Sequence, residues 1–133
     1  MADQYLLDTC AWLDLRIAPE LINPTAIGIA RSQPILHLAS ISLMEVTRKA
    51  ATGQLILDAP IEPWMVGATN PKAIHILDIT APVAIDAFAL PGDFHKDPAD
   101  RLIVATARVH QLTIITSDRK ILDYPHVRSL NSR

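Results

Sequence analysis

The sequence predicts an α/β fold in which a central, mostly parallel sheet is flanked by helices. Short apolar or β-branched segments alternate along the chain with segments whose apolar residues recur at helical spacing. The clearest strand, at residues 112–116, is apolar on both faces, as expected of a strand buried in a parallel sheet. Since the chain has 133 residues and half of them are hydrophobic, we expect one domain built around one core.

The first half of the chain is predicted to contain two strands and four helices. In order, they are a strand at 5–7, a helix beginning at Cys10, a helix at 21–31, a strand at 35–39, a helix at 42–52 and a helix at 60–68. Ser42 and Glu45 match the capping-box pattern, in which a hydroxyl residue and a Glu three positions later satisfy the first turn of a helix. Gly53 is expected to end that helix.

The second half of the chain is predicted to contain three further strands. In order, its elements are a strand at 73–77, a helix at 80–90, a helix beginning at Pro98, a strand at 112–116, a short turn or helix at 119–123 and a final edge strand at 126–130. Pro98 suits the first turn of a helix, where its missing N–H costs little, and Asp97 is the expected N-cap. Strands that alternate with helices in this way are joined by right-handed crossovers.

The charge and the cysteine content exclude several classes of protein. The formal charge is −2 and the pI is about 6.2, which argues against bulk electrostatic binding of nucleic acid. The one cysteine, Cys10, excludes an internal disulfide, fits a reducing compartment and is predicted to be a small buried residue. No apolar run reaches the length of a membrane span, and the first residues lack the features of a signal peptide. We therefore expect a cytoplasmic protein without a membrane partner.

Four acidic residues lie at the boundaries of predicted elements. They are Asp8 and Asp118, which end strands, and Glu45 and Asp100, which lie in the first turns of helices. In a parallel α/β sheet all four would meet at one edge. Their mutual repulsion would be relieved by a hard divalent cation with oxygen ligands, Mg²⁺ or Mn²⁺. The alternative is that each acid is an ordinary helix cap.

Four segments resemble the motifs of the PIN-domain family and, more closely, of the VapC toxins of toxin–antitoxin pairs. They are Leu7-Asp8-Thr9, Ser42 with Glu45, Asp97 to Ala105, and Thr116-Ser117-Asp118. The third segment is the most specific, and the motif order is kept over nearly the whole chain. The resemblance implies a single PIN domain at residues 1–133, a PIN-like three-layer sandwich and a Mg²⁺- or Mn²⁺-dependent endoribonuclease.

The resemblance also implies roles for particular residues. The metal-binding and catalytic positions would be Asp8, Glu45, Asp100 and Asp118. Thr9 and Thr116 could orient these ligands through contacts outside the coordination sphere. Asp97 is assigned to capping, and a metal or water-mediated role is its alternative. A metal can activate water and neutralise charge on phosphate. Because this route needs no histidine base, His95 is interpreted as a loop residue.

Basic residues lie near the acidic segments in sequence. They are Lys96 and Arg101 around Asp100, Arg119 and Lys120 after Asp118, and Arg48 and Lys49 after Glu45. Removing the −4 of the four proposed ligands from the formal −2 leaves +2 for the rest of the chain. A basic rim around the site is therefore expected to bind RNA phosphates, with Arg48, Lys96, Arg101 and Arg119 as candidates. The alternative is that these are solvated surface charges.

The resemblance to VapC toxins implies partners in addition to an RNA substrate. These are a VapB-like antitoxin, through which the protein would reach DNA indirectly, and a second copy of the chain in a homodimer. The helices at 21–31 and 60–68 are the candidate dimer surfaces. An antitoxin arginine could enter the acidic site, since guanidinium groups pair with carboxylates.

Three alternatives to the ribonuclease were weighed from the sequence, and the first and the last of them stay open. A Mg²⁺-dependent phosphatase of the haloacid-dehalogenase type would need Asp-x-Asp after the first strand, whereas Asp8 is followed by Thr9 and Cys10. A phospho-receiver domain is disfavoured in the same way, since it would need an acidic pair there. A non-catalytic PIN-fold module that binds RNA or protein is the last alternative, and the presence of all four acids speaks against it.

Overall fold

A five-stranded sheet forms the centre of the computed structural model, which describes residues 3–133. The strands are β1 (Tyr5–Leu7), β2 (Leu36–Ala39), β3 (Ile74–Leu77), β4 (Thr113–Thr116) and β5 (Ser129–Asn131). They are ordered β3-β2-β1-β4-β5, and every neighbouring pair is parallel. After β1 the chain adds β2 and β3 on one side of it, and then β4 and β5 on the other side. The topological switch point therefore lies between β1 and β4, and open α/β sheets form their binding sites at such points.

Helices connect the strands and cover both faces of the sheet. They are α1 (Thr9–Ile17), α2 (Pro24–Ser32), α3 (Ile41–Ala51), α4 (Ile61–Ala68), α5 (Ala81–Ala87), α6 (Pro98–His110) and α7 (Arg119–Leu122), with a 3-10 turn at Pro19–Leu21. The longest of them, α6, has 13 residues. Within residues 3–133, no helix combines the length and the apolar character needed to span a membrane.

Two apolar clusters lie on opposite faces of the sheet. Leu7 and Ile115 pack with residues of α1 to α4, among them the fully buried Trp12. Their neighbours Leu6 and Ile114 pack on the other face, with residues of α6 and α7. Successive side chains of a strand point to opposite faces, so strands that are apolar throughout need cover on both sides. The helix–sheet–helix arrangement confirms the α/β fold predicted from the sequence.

The predicted elements are present, but several of their ends differ. The second helix begins at Pro24 instead of residue 21, because the Asn23 side chain caps it by accepting a hydrogen bond from Ala26 N–H at 2.8 Å. The edge strand β5 begins at Ser129 instead of residue 126, because a turn occupies residues 125–126. Both differences depend on local chemistry at the ends of the elements, and neither alters the topology.

Candidate metal centre

The four predicted acidic ligands line one cavity at the carboxyl edge of the sheet. Asp8 directly follows β1, and Asp118 follows β4 after one intervening residue. Glu45 lies on α3, and Asp100 lies in the first turn of α6. The cavity has a volume of about 200 Å³ and is lined by Asp8, Thr9, Cys10, Glu45, Lys49, Asp97, Asp100, Ile103 and Asp118. The four acids therefore meet at one edge, although their metal-binding roles stay predictions.

Asp8 is buried, with 4% of its surface exposed. Its Oδ1 caps α1 by accepting a hydrogen bond from Ala11 N–H at 2.8 Å, and its Oδ2 accepts one from the Thr116 hydroxyl. Both bonds lower its pKa, but burial and the charges of Asp100 and Asp118 outweigh them and raise the pKa of Asp8 to about 6. The carboxylate is therefore fixed in position and costly to ionise.

The hydroxyl of Thr116 links two of the acids. It donates a hydrogen bond to Asp8 and accepts one from Asp118 N–H at 2.9 Å. Asp118 in turn caps α7, because its Oδ1 accepts a hydrogen bond from Lys120 N–H at 2.9 Å. Thr116 is fully buried at the end of β4. This geometry supports the orienting role suggested for Thr116, which stays a prediction.

Glu45 is held by a chain of hydroxyl groups and not by a capping box. The Thr9 hydroxyl donates to Glu45 Oε1 at 2.5 Å and lies 2.8 Å from Ser42 Oγ. Since Thr9 gives its one hydroxyl proton to Glu45, the Ser42 hydroxyl donates to Thr9. The predicted capping box is wrong because α3 begins at Ile41, which places Ser42 inside the helix. The buried Ser42 and Thr9 orient Glu45 instead, as was suggested for Thr9 alone.

Asp100 contacts His95, which was interpreted from the sequence as a loop residue. His95 Nε2 lies 2.9 Å from Asp100 Oδ2. Burial, followed by the charges of Asp97 and Asp118, raises the pKa of Asp100 to about 6, and His95 opposes this rise. His95 Nε2 and one carboxylate oxygen each of Asp100 and Asp118 lie within 4.8 Å of one another, close enough to share an ion. His95 does lie in a loop, as interpreted from the sequence, but its contact with Asp100 was not predicted. The one sequence feature that could have indicated this contact is that the two residues lie five positions apart.

Asp97 is exposed and caps α6. Its Oδ1 accepts a hydrogen bond from Ala99 N–H at 3.1 Å, and Pro98 occupies the first turn as expected. Asp97 also lines the cavity, and its charge contributes to the raised pKa of Asp100. The capping contact is therefore present, while a direct role of Asp97 at a metal stays a prediction.

Arg101 ties α5 and a loop to α6. Its Nε donates to the Ala87 carbonyl at 2.7 Å, and its Nη1 donates to the Phe94 and His95 carbonyls at 3.0 and 3.2 Å. Its guanidinium also lies 5.8 Å from the centroid of the Phe88 ring, within range of a cation–π contact. Three of its five N–H donors can therefore bond carbonyls of the chain itself, and the phosphate contact suggested for Arg101 stays a prediction.

The other three candidate phosphate contacts lie at the surface. Arg48 and Lys96 are exposed, and the side chain of Arg119 is 70% exposed with Asp123 3.5 Å away. An exposed i,i+4 pair of this kind contributes little to stability, so Arg119 can exchange Asp123 for a ligand. Lys49, one residue after Arg48, is half-buried and lines the acidic cavity.

The prediction that Cys10 is buried is wrong. Cys10 is exposed and lines the cavity, because the first turn of α1 turns Thr9 and Ala11 inward and leaves Cys10 at the opening. Partial burial and then the charge of Asp8 raise the pKa of its thiol. A raised pKa keeps the thiol protonated and therefore a poor nucleophile.

The donor set of the cavity fits a hard divalent cation. Mg²⁺ and Mn²⁺ prefer oxygen ligands, and carboxylates dominate the lining. The raised pKa values of Asp8 and Asp100 show that the ionised cluster is unfavourable without a counter-charge. Asp8, Asp97 and Asp118 also cap helices, so the capping interpretation holds for them, whereas Glu45 and Asp100 lie within α3 and α6.

Known proteins share this sequence pattern and this fold. Residues 5–127 match the family model described as PIN domain. Ribonuclease VapC22 of Mycobacterium tuberculosis is 36% identical over 111 residues, which cover 80% of this chain and 84% of the relative. A toxin–antitoxin complex from Klebsiella pneumoniae has a chain that matches with a TM-score of 0.71 at 20% identity, over 96% of this chain and 97% of that chain. VapBC2 from Rickettsia felis, bound to a DNA fragment from its promoter, matches with a TM-score of 0.70 at 16% identity, over 97% and 98% of the two chains. At these identities the solved structures show the fold alone, and they confirm the PIN-like three-layer sandwich.

Proposed function

The chain belongs to the PIN-domain family, and from this premise we propose that it is a Mg²⁺- or Mn²⁺-dependent endoribonuclease, the toxin of a toxin–antitoxin pair. The observation that carries the proposal is the convergence of Asp8, Glu45, Asp100 and Asp118 in one cavity. The 36% identity with a protein named a ribonuclease supports the choice of RNA as the substrate.

In the proposed centre, the four carboxylates would hold the ion. When bound, the ion would neutralise negative charge on a phosphodiester and lower the pKa of an attacking water molecule. The contribution of the chain is positioning. Asp8 is fixed by the cap of α1 and by Thr116, and Glu45 is fixed by Thr9. Because each of these acids has an oxygen already bonded, the ligand set needs little rearrangement to receive an ion.

RNA is proposed to approach across the basic residues at the rim of the cavity. Arg48, Lys96 and Arg119 are exposed, and Lys49 lines the cavity itself. Contacts of this kind bind phosphate without reading the base, so they would position the backbone and not select a sequence. An overall charge of −2 is compatible with this role, since the negative charge is concentrated where the cation binds.

We propose that a VapB-like antitoxin restrains the enzyme, that DNA is reached only through this antitoxin, and that the chain forms a homodimer. The fold is shared with chains of toxin–antitoxin complexes, one of them bound to promoter DNA, which supports such a partner. An antitoxin arginine could pair with the acids of the cavity in place of the metal.

Val66 on α4 and Ile85 on α5 are 74% and 70% exposed, and they offer apolar surface for a dimer. A single domain at residues 1–133, a cytoplasmic location and the lack of a membrane partner complete the proposal.

The test is a cleavage assay with purified protein and an end-labelled RNA. The protein is first treated with EDTA and then assayed with Mg²⁺, with Mn²⁺ or with chelator. We expect cleavage that requires the metal and is abolished in Asp100→Asn. The matched control is Asp58→Asn, which changes an exposed acid in the segment between α3 and α4 and should retain full activity.

The same assay separates the alternatives. Undiminished cleavage in EDTA, or in Asp100→Asn, would contradict the metal mechanism. RNA binding without cleavage under every metal condition would favour the non-catalytic PIN-fold module. Release of inorganic phosphate from a phosphomonoester, with intact RNA chains, would favour the phosphatase.

A further inference from the structure

His95 directs a buried ring nitrogen at the acidic cluster. Its Nε2 lies 2.9 Å from Asp100 Oδ2, yet the contact lacks the geometry of a hydrogen bond. Nε2 is shielded from solvent and has no hydrogen-bond partner within the described part of the chain. A nitrogen lone pair and a carboxylate oxygen at this distance repel each other unless a proton or a metal ion mediates the contact.

The distance between these two atoms suits adjacent ligands of one metal ion. In an octahedral site with ligands about 2.1 Å from the ion, neighbouring ligand atoms lie about 3 Å apart. The 2.9 Å between His95 Nε2 and Asp100 Oδ2 agrees with that separation. A carboxylate oxygen of Asp118 completes a group of three atoms that lie within 4.8 Å of one another.

The loop that carries His95 is held in place from α6. Arg101, the residue after Asp100, donates hydrogen bonds to the Phe94 and His95 carbonyls at 3.0 and 3.2 Å. The His95 ring also packs against the Phe94 ring, with 4.6 Å between their centroids. The imidazole and the Asp100 carboxylate are therefore positioned by the same turn of α6, as expected of two ligands that must keep a fixed separation.

We propose that His95 supplies a nitrogen ligand to the metal centre and shifts its preference from Mg²⁺ towards Mn²⁺. Both ions prefer oxygen ligands, but Mn²⁺, as a transition-metal ion, accepts an imidazole nitrogen more readily than Mg²⁺, which dehydrates reluctantly and keeps several waters. A nitrogen ligand beside the oxygens of Asp100 and Asp118 therefore stabilises Mn²⁺ more than Mg²⁺. The inference rests on the proposed function only in requiring that the acidic cavity bind a divalent cation.

The test is direct measurement of metal binding, without substrate. Mn²⁺ is added to EDTA-treated, dialysed protein, and pulsed EPR is used to detect coupling between the bound ion and ¹⁴N. Calorimetry gives the Mn²⁺ and Mg²⁺ affinities. We expect ¹⁴N coupling in the wild type and its loss in His95→Gln. In that variant the Mn²⁺ affinity should fall at least about 10-fold, as is typical when a metal site loses a supporting group, while the Mg²⁺ affinity changes much less.

A second histidine, at the other end of α6, provides the control. His110 is exposed at the far end of α6, so His110→Gln should keep both the coupling and the metal preference. Bound Mn²⁺ without ¹⁴N coupling in the wild type would overturn the role of His95 and leave the proposed function intact. Absence of Mn²⁺ and Mg²⁺ binding would overturn both. The wild-type spectrum decides the question even if His95→Gln does not fold.

Discussion

Replacing Asp100 with Asn should stabilise the metal-free protein while abolishing activity. Burial and neighbouring acids raise the pKa of Asp100 from 3.8 to about 6, which corresponds to a penalty of about 3 kcal/mol on the ionised form at 1.36 kcal/mol per pKa unit. The side chain is 21% exposed, so solvent screening reduces this value. The helix dipole of α6 favours a negative charge in its first turn by about 0.5 kcal/mol. A net gain of about 1–2 kcal/mol remains for the neutral, isosteric amide.

The assay is thermal unfolding at pH 8 in EDTA and in excess Mg²⁺. For a chain of this size, about 1–2 kcal/mol raises Tm by roughly 3–8 °C, so Asp100→Asn should melt above the wild type in EDTA. In Mg²⁺ the order should reverse, because the wild type gains about 2.7 kcal/mol at a ligand concentration 100 times Kd and the variant gains less. Asp58→Asn should follow the wild type in both conditions. Lower stability of Asp100→Asn in EDTA would refute the reasoning and assign Asp100 a structural role.

Three further predictions concern the remaining charged groups. In urea unfolding, Arg101→Gln should lose about 2–4 kcal/mol of the free energy of unfolding, because three carbonyls lose a charged donor. Arg119→Gln should stay within about 0.5 kcal/mol of the wild type and instead raise KM for RNA. Equal stabilities of the two variants would contradict this prediction. Asp97→Asn should retain cleavage within a few-fold, since Asn caps a helix about as well as Asp, and complete loss of cleavage would give Asp97 a place at the metal. The metal-free protein should become more stable as the pH falls from about 6 towards 4. In the native protein Asp8 and Asp100 have pKa values of about 6, against 3.8 for the ordinary group. In this pH range the native state therefore holds protons that the unfolded chain releases. Asp100→Asn should reduce that pH dependence in urea titrations, and an unchanged slope would show that the pKa of Asp100 is not raised.

The convergence of the acids could be predicted from sequence because it follows from topology. A residue that follows a parallel strand lies at the carboxyl edge of the sheet, whatever the position of that strand in the strand order. Asp8 and Asp118 are therefore at the same edge. The helices that begin at that edge bring Glu45 and Asp100 with them. The sequence alone did not give the strand order, yet the site did not depend on knowing it.

The contacts made by individual side chains could not be predicted in the same way. The hydroxyl of Ser42 bonds Thr9 across 33 positions of sequence, so the local capping pattern was misleading. The partners of Arg101 are backbone carbonyls, and backbone carries no residue-type signal. His95 was missed because residue type and spacing do not distinguish a loop histidine that contacts Asp100 from one that faces solvent. The partner of Ser42 lies in a distant segment, whereas the contacts of Arg101 and His95 depend on the path of the loop that precedes α6.

Anomalous diffraction from crystals grown with Mn²⁺ tests the central claim of a metal centre at the carboxyl edge of the sheet. The account predicts a peak inside the cavity, within coordination distance of Asp100 and Asp118 and next to Asp8 and Glu45. It also predicts that the peak disappears in Asp100→Asn crystals grown in the same way. A cavity without a peak at saturating Mn²⁺, or a peak bound only by residues elsewhere on the surface, would contradict the account.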